Sequence, residues 1–126
     1  MRKAVTLITT AASVAALLGG LALTADTAVA AEKKAQSVVE EGKKIAFNRK
    51  KGNCLACHQI AGGTLPGNIG PPLVGMKQRF PNKQALRDQI WDATKRNPNT
   101  SMPPFGRHKI LTEDEIDKVV EFIWTL

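Results

Sequence analysis

The chain has 126 residues, enough for one domain, and its 43% hydrophobic and 23% charged residues are typical of a globular protein rather than a fibrous or disordered one. The formal net charge of +7 favours docking to an acidic partner surface, although lysines that only solvate a helix face would give the same value. Four Phe, two Trp and no Tyr give a small domain few large side chains for its core, so we expect a further group to complete it.

The first thirty residues have the features of a secretory signal peptide. After a short cationic start, residues 5–23 are uncharged and mostly apolar, and Ala28-Val29-Ala30 provides the small-x-small pattern that signal peptidase accepts. An uncleaved membrane anchor is the alternative, but the stretch ends in Ala-x-Ala rather than in positive stop-transfer residues. We predict that residues 1–30 are removed and that residues 31–126 form the exported domain, without a membrane span and separated from nucleic acid.

The first predicted helix covers residues 36–51 and ends at Gly52-Asn53. A glycine inside a helix costs about 1 kcal/mol relative to alanine, so Gly42 suggests that another helix crosses closely there, unless it is merely tolerated. Apolar or small residues recur along this helix at spacings of three and four, namely Val38, Val39, Gly42, Ile45 and Ala46.

Cys54-Leu55-Ala56-Cys57-His58 follows this helix and is the attachment pattern of c-type haem. Two thiols three positions apart lie on one side of a helical turn, where they can bond two vinyl groups on one porphyrin edge while the adjacent imidazole is held under the iron. A disulfide, a thioredoxin-like dithiol and a zinc site are the alternatives. The chain lacks a βαβ pattern, and a zinc site would need four ligands from a chain with only two Cys and two His. We predict one haem c attached through Cys54 and Cys57, with His58 as an axial ligand.

Three residues of the predicted domain can supply the second axial ligand, namely Met76, Met102 and His108. Met102 lies among prolines that stop helix formation and stiffen a loop, whereas Met76 has the context of a core residue and His108 stands between two cations. We predict Met102, with His108, Met76 or an open site as alternatives. Ligation by His58 and Met102 would raise the reduction potential and leave no room for a substrate on the iron, so electron transfer is the expected function.

Two further helices are predicted downstream of a Gly- and Pro-rich loop at residues 61–75, which is expected to pack on the haem. The first covers residues 82–95, is stopped by Asn97-Pro98, and has Leu86, Ile90 and Ala93 inward. The second begins at Thr112, where Glu115 completes a capping box and Leu111 with Ile116 can form a hydrophobic staple. Its predicted buried stripe consists of Ile116, Val119, Val120, Ile123 and Trp124.

The order of these features resembles class I cytochrome c. A glycine-bearing helix is followed by Cys-x-x-Cys-His, by Gly70-Pro71-Pro72-Leu73, by a Met-Pro loop and by an aromatic C-terminal helix. The resemblance covers residues 31–126 and implies an all-α fold, a small helical domain wrapped around one covalent haem c.

The same resemblance implies two contacts. The first and last helices should cross near Gly42, and the carbonyl of Pro71 should accept the Nδ1 hydrogen bond of His58 and so fix its tautomer. The sequence departs from the family in the first helix, because Ala46 stands where an aromatic residue is expected and Phe47 follows it. The details of the helix crossing are therefore less well defined by the resemblance.

Three longer stretches resemble the SoxX family, the small haem subunits of the SoxAX cytochromes of bacterial sulfur oxidation. They are residues 46–58, which end in Gly-Asn-Cys-Leu-Ala-Cys-His, residues 67–73, and Met102-Pro103-Pro104-Phe105-Gly106. This resemblance implies a periplasmic heterodimer with SoxA that couples thiosulfate oxidatively to a cysteine of the carrier SoxYZ, an L-cysteine S-thiosulfotransferase.

In such a complex the bond forms at the SoxA haem, and the small subunit accepts electrons and passes them to a downstream cytochrome. Cys54, Cys57, His58 and Met102 are then redox-site residues, and the chain contributes no catalytic acid, base or nucleophile. Two alternatives are a free-standing carrier between respiratory complexes and a haem sensor or gas binder whose loop methionine leaves the iron readily.

Overall fold

The computed structural model describes residues 19–126, with side chains from residue 28 onward, and contains no strand within that range. Residues 34–126 form one compact unit. The predicted all-α class is confirmed by four α-helices and two short 3-10 helices, namely α1 (Gly19–Phe47), Cys54–Ala56, α2 (Met76–Arg79), α3 (Lys83–Trp91), Ala93–Lys95 and α4 (Glu113–Ile123).

The predicted signal peptide lies partly outside the described residues, since residues 1–18 are not among them. Its cleavage after residue 30 and the domain boundary at residue 31 therefore stay predictions. Within residues 19–126, no helix is both long enough and apolar enough to cross a membrane.

Helix α1 ends at Phe47, four residues before the predicted end at Lys51. The chain turns at Asn48, whose side-chain Oδ1 accepts a hydrogen bond from the backbone N–H of Lys50 at 2.8 Å. The backbone N–H of Gly52 then returns to the carbonyl of Ile45 at 3.2 Å. The end predicted at residue 51 was wrong because the Asn48 side chain accepts a hydrogen bond from a backbone N–H that would otherwise belong to the next helical turn.

Helices α1 and α4 cross where the sequence predicts a close approach. A Cβ on Gly42 would overlap the backbone carbonyl of Lys118, so only glycine fits at this crossing. The rings of Phe47 and Phe122 meet edge to face, with centroids 5.8 Å apart and an interplanar angle of 83°. Phe47 therefore contacts α4 from the position after Ala46.

Helix α3 ends at Trp91, so the helix predicted to run from residue 82 to residue 95 is wrong at its C-terminal end. Asn82 caps its start by accepting a hydrogen bond from the N–H of Ala85 at 2.8 Å. At Asp92 the backbone leaves the helical region, with φ −155° and ψ 90°, and the Asp92 side chain caps the following 3-10 helix. The carboxylate competes for the backbone N–H groups that a continuous helix would use.

Helix α4 begins with the predicted capping box. Thr112 Oγ1 accepts from the N–H of Glu115 at 3.2 Å, and Glu115 Oε2 accepts from the N–H of Thr112 at 3.0 Å. Trp124 of the predicted stripe is only half-buried. The other four members of the stripe are buried, and Phe122, which was not predicted to belong to it, is buried as well. The buried residues of α4 are Ile116, Val119, Val120, Phe122 and Ile123.

Candidate functional site

The Cys-x-x-Cys-His motif forms a tight turn that brings its three functional side chains together. Asn53 opens the turn in the left-handed backbone region, with φ 46°, which asparagine tolerates better than most residues. The N–H groups of Cys57 and His58 both donate to the carbonyl of Cys54, at 3.2 Å and 2.9 Å. The two thiols and the imidazole are thereby held on one short segment.

The orientation of the His58 ring is set by the loop that follows the motif. Nδ1 lies 2.7 Å from the carbonyl oxygen of Pro71. A carbonyl oxygen can only accept, so Nδ1 is the donor, and in the neutral ring Nε2 is the nitrogen with a free lone pair. Gly70 packs directly against the ring, where a Cβ would overlap the imidazole, and its N–H donates to the carbonyl of Cys57 at 2.8 Å.

A cavity of ≈ 970 Å³ opens beside the motif. It is lined by all five predicted site residues, namely Cys54, Cys57, His58, Pro71 and Met102, so the structure brings them to one space. This volume lies at the upper end of the roughly 300–1,000 Å³ found for ligand pockets. Much of the remaining lining is apolar and comes from α3, α4 and the loops between them, including Phe80, Leu86, Ile90, Phe105, Val119 and Ile123.

The three candidates for the second axial ligand differ in their surroundings. Met102 lies in the loop between α3 and α4, where its N–H donates to Thr100 Oγ1 at 3.1 Å. Met76 also lines the cavity, but it is 2% exposed and its sulfur lies 3.5 Å from Nη1 of Arg79. His108 is exposed and does not line the cavity.

The charged side chains of the cavity lining are all cationic. Among the described residues the lining contains no Asp or Glu. The guanidinium of Arg96 lies 5.4 Å from the ring centroid of Phe80, a cation–π contact that holds it beside the cavity. From the sequence, the positive charge was interpreted as a docking surface or a solvated helix face, and only the fold shows that part of it lines the cavity. The cationic lining residues are Arg49, Lys50, Lys51, Arg79 and Arg96.

The lining fits a haem group. The apolar walls match the porphyrin faces, the cationic side chains match its two carboxylates, and a free imidazole nitrogen is available to an iron. The fit of Gly70 against the His58 ring further shows that the loop is built around a fixed imidazole.

The alternative sites for the two cysteines are not supported. Burial raises the pKa of the Cys54 thiol to about 11, with a smaller contribution from the nearby Cys57, although a backbone hydrogen bond acts in the opposite direction. A thiol of that pKa is protonated at neutral pH, unlike the attacking thiol of a dithiol oxidoreductase. Within residues 28–126 no group of three or more His, Cys, Asp or Glu side chains could hold a metal ion such as zinc.

Comparison with known proteins agrees with this site. A family model described as "Cytochrome c" matches residues 39–126. The chain belongs to the cytochrome c family. Membership implies covalent haem c and a role in electron transfer.

Two individual proteins resemble this cytochrome c. The crystal structure of SoxXA from P. pantotrophus contains a chain that is 32% identical, with a TM-score of 0.62 over 68% of this chain and 79% of that one. The resemblance to SoxX-type cytochromes is confirmed by this match. An uncharacterized lipoprotein of Aquifex aeolicus (strain VF5) is 35% identical over 75 residues, which are 59% of this chain and 36% of that protein. This cytochrome c thus matches about a third of the length of that relative.

Proposed function

We propose that this cytochrome c is the electron-transfer haem subunit of a periplasmic SoxAX-type complex. The observation that carries the proposal is the cavity that brings Cys54, Cys57 and His58 together with Met102. The likeness to a chain of the SoxXA crystal structure supports the kind of complex.

Each of the four residues has a distinct part in holding the cofactor. The sulfurs of Cys54 and Cys57 would attach one haem c, and His58 Nε2 and the Met102 thioether would ligate its iron. Pro71 holds the imidazole in the required tautomer through the 2.7 Å hydrogen bond at Nδ1. The bound haem supplies a one-electron couple whose potential is raised by His and Met ligation relative to two nitrogen ligands. The apolar walls of the cavity would lie against the porphyrin faces.

Met102 is preferred over Met76 because of where the two sulfurs lie. The Met76 sulfur is within 3.5 Å of the Arg79 guanidinium, and its side chain is packed in the hydrophobic core. Met102 is only partly buried and belongs to a loop that lines the cavity, so its thioether can serve as a ligand without removing a core side chain.

Within the proposed complex, a SoxA-type partner carries out the coupling of thiosulfate to a cysteine of a SoxYZ carrier. The present chain accepts the electrons of that oxidation and passes them to a downstream cytochrome. It supplies no acid, base or nucleophile to the chemical step. The second candidate function is a free-standing electron carrier, which the cationic surface around the cavity would also serve.

Replacing the proposed sixth ligand tests the site. We predict that Met102→Ala in the haem-loaded protein lowers the reduction potential and lets carbon monoxide bind the reduced iron rapidly at neutral pH, because a position on the metal becomes open. The matched control is Met76→Leu, which keeps the volume of a methionine that lines the same cavity. Persistence of the near-infrared sulfur-to-iron band in Met102→Ala, with its loss in Met76→Leu, would reverse the assignment.

The partner is tested in cells grown on thiosulfate. We expect the protein to co-purify with a larger haem protein and its deletion to abolish thiosulfate-dependent conjugation of the carrier. A protein that runs only as a monomer, with an unaffected conjugation assay and direct reduction of a terminal oxidase, would favour the free-standing carrier.

A further inference from the structure

Both ends of the loop that carries Met102 are hydrogen-bonded to the backbone of residues 91–93, at the end of α3. At the first end, the N–H of Asn97 donates to the carbonyl of Ala93 at 3.1 Å. At the other end, the N–H of Gly106 donates to the carbonyl of Trp91 at 3.1 Å. Residues 97–106, called here the Met102 loop, therefore close on themselves at residues 91–93, with Met102 between the two attachments.

Asp92 stands in the middle of this attachment and is the one charged residue that is buried within residues 28–126, at 3% exposure. Its Oδ1 accepts hydrogen bonds from the N–H of Thr94 at 3.1 Å and from Thr94 Oγ1 at 2.5 Å. Its Oδ2 lies 3.2 Å from Nη1 of Arg107, the residue directly after the Met102 loop. The carboxylate thus joins the end of α3 to the far end of the loop.

Backbone packing at the same place leaves little room for adjustment. The carbonyl of Trp91 also accepts from the N–H of Arg107 at 3.4 Å. A Cβ on Gly106 would overlap the indole ring of Trp91, so the loop lies directly on that ring. A buried carboxylate is costly unless it is paired and hydrogen-bonded. For Asp92, the two hydrogen bonds from Thr94 and the guanidinium of Arg107 together meet this requirement.

We infer that Asp92 is a positioning residue whose pairing with Arg107 keeps the Met102 loop closed over the cavity and so holds the Met102 thioether at the iron. The inference rests on the proposed His58 and Met102 ligation. A thioether is a weak ligand, so its occupancy depends on how rarely the loop opens. An outside ligand that binds only the open form has its apparent affinity reduced by the fraction of molecules that are open.

The test uses the haem-loaded protein and the variant Asp92→Asn, which keeps the size of the side chain and an acceptor for Thr94 but removes the charge that holds Arg107. We expect the association constant of imidazole for the oxidised protein to rise about threefold, because the lost interaction is an ion pair whose arginine is half-exposed and therefore partly screened. Hydrogen exchange at the amides of Gly106 and Arg107 should accelerate, while exchange in α4 stays unchanged.

Glu121→Gln is the matched control. The Glu121 carboxylate pairs with Nζ of Lys83 at 2.6 Å, which joins α4 to the start of α3, at the opposite end of that helix from Trp91. We expect this control to leave imidazole affinity at the wild-type value. Arg107→Gln changes an exposed side chain, so it replaces Asp92→Asn if that variant fails to load haem, and it should give the same rise. Arg107→Lys, which keeps the charge, should restore affinity toward the wild-type value.

Two results would overturn the inference. One is an unchanged imidazole affinity in both Asp92→Asn and Arg107→Gln, and the other is an equal rise in the Glu121→Gln control. A wild-type protein without the near-infrared sulfur-to-iron band would instead contradict the proposed ligation by Met102. The hydrogen exchange at Gly106 does not depend on the identity of the ligand and would still decide whether Asp92 holds the loop.

Discussion

At the scale of single residues, the environment of His58 shows how closely the chain fits its ring. One nitrogen of the imidazole donates a hydrogen bond to the Pro71 carbonyl. The ring also packs directly on Gly70, where a side chain would not fit. The hydrogen bond was implied by the family resemblance from the order Gly70-Pro71. The steric part was not predictable, because only coordinates show that the space for a Cβ is filled by the ring.

We predict that Gly70→Ala reduces the fraction of secreted protein that carries covalent haem. The added methyl group would overlap the His58 ring, so the ring or the loop must move and the 2.7 Å hydrogen bond to Pro71 must lengthen. The measurement is the mass of the secreted protein with and without the added porphyrin and iron. Asn68→Ala, an exposed position in the same loop, is the control. Equal haem content in both variants would contradict the steric argument.

At the scale of elements, helix ends are where the sequence was least informative. The capping box of α4 was predicted correctly, since Thr112 and Glu115 are a local pattern that carries its own hydrogen bonds. The ends of α1 and α3 were predicted too late, because Asn48 and Asp92 can be either helical or capping residues. Whether such a residue continues a helix or caps it depends on partners that are distant in sequence, such as Arg107 for Asp92. The hydrophobic periodicity of the sequence gives no information about these partners.

The Glu115 carboxylate at the start of α4 is expected to make the stability of the fold depend on pH. The side-chain hydrogen bond from Lys51, followed by the one from the Thr112 backbone, lowers the pKa of Glu115 from its ordinary 4.5, although burial opposes the shift. A lowered folded-state pKa means that the ionised carboxylate stabilises the fold above pH 4.5 and that this contribution is lost as the pH falls through the lowered pKa.

We therefore expect Glu115→Gln to be less stable than the wild type at neutral pH by about 0.2–1 kcal/mol, the range for ion pairs near the surface, because glutamine can keep the capping box but not the charge pair with Lys51. Urea unfolding at a series of pH values measures the difference, which should shrink as the pH falls below 4.5. Glu40→Gln, an exposed change on α1, is the control. A difference that stays constant from neutral to acid pH would contradict this account.

At the scale of the whole molecule, the fold pairs acidic residues of the C-terminal helix with cations that are mostly distant in sequence. The acidic residues gathered in α4 all lie in ion pairs with cations from other parts of the fold or from α4 itself. The partners are Lys51 with Glu115, Lys83 with Glu121, Arg87 with Glu113 and Asp117, and Lys118 with Glu41 and Asp114. The five carboxylates of α4 thus pair with four cations, so most of the acidic charge of this helix is compensated within the fold. Positive charge remains concentrated around the cavity, where it can hold the carboxylates of a haem and face an acidic partner.

The cavity also determines how the domain is stabilised. The cavity of ≈ 970 Å³ opens among the buried residues of the domain, and many of these residues line it. Without a group in the cavity, the apolar side chains that line it face solvent, and a small domain has little other apolar burial to compensate. We therefore expect the core to depend on a large apolar group that fills the cavity.

We predict that a Cys54→Ser, Cys57→Ser double variant secreted without haem has no cooperative unfolding transition. Its far-ultraviolet circular dichroism should show less helix than the haem-loaded protein, because α3 and α4 bury their apolar faces partly against the cavity. The haem-loaded Met102→Ala variant is the control, since it loses an iron ligand but keeps the group that fills the cavity. A sharp thermal transition in the double variant, with helix content equal to that of the control, would mean that the polypeptide alone supplies the core.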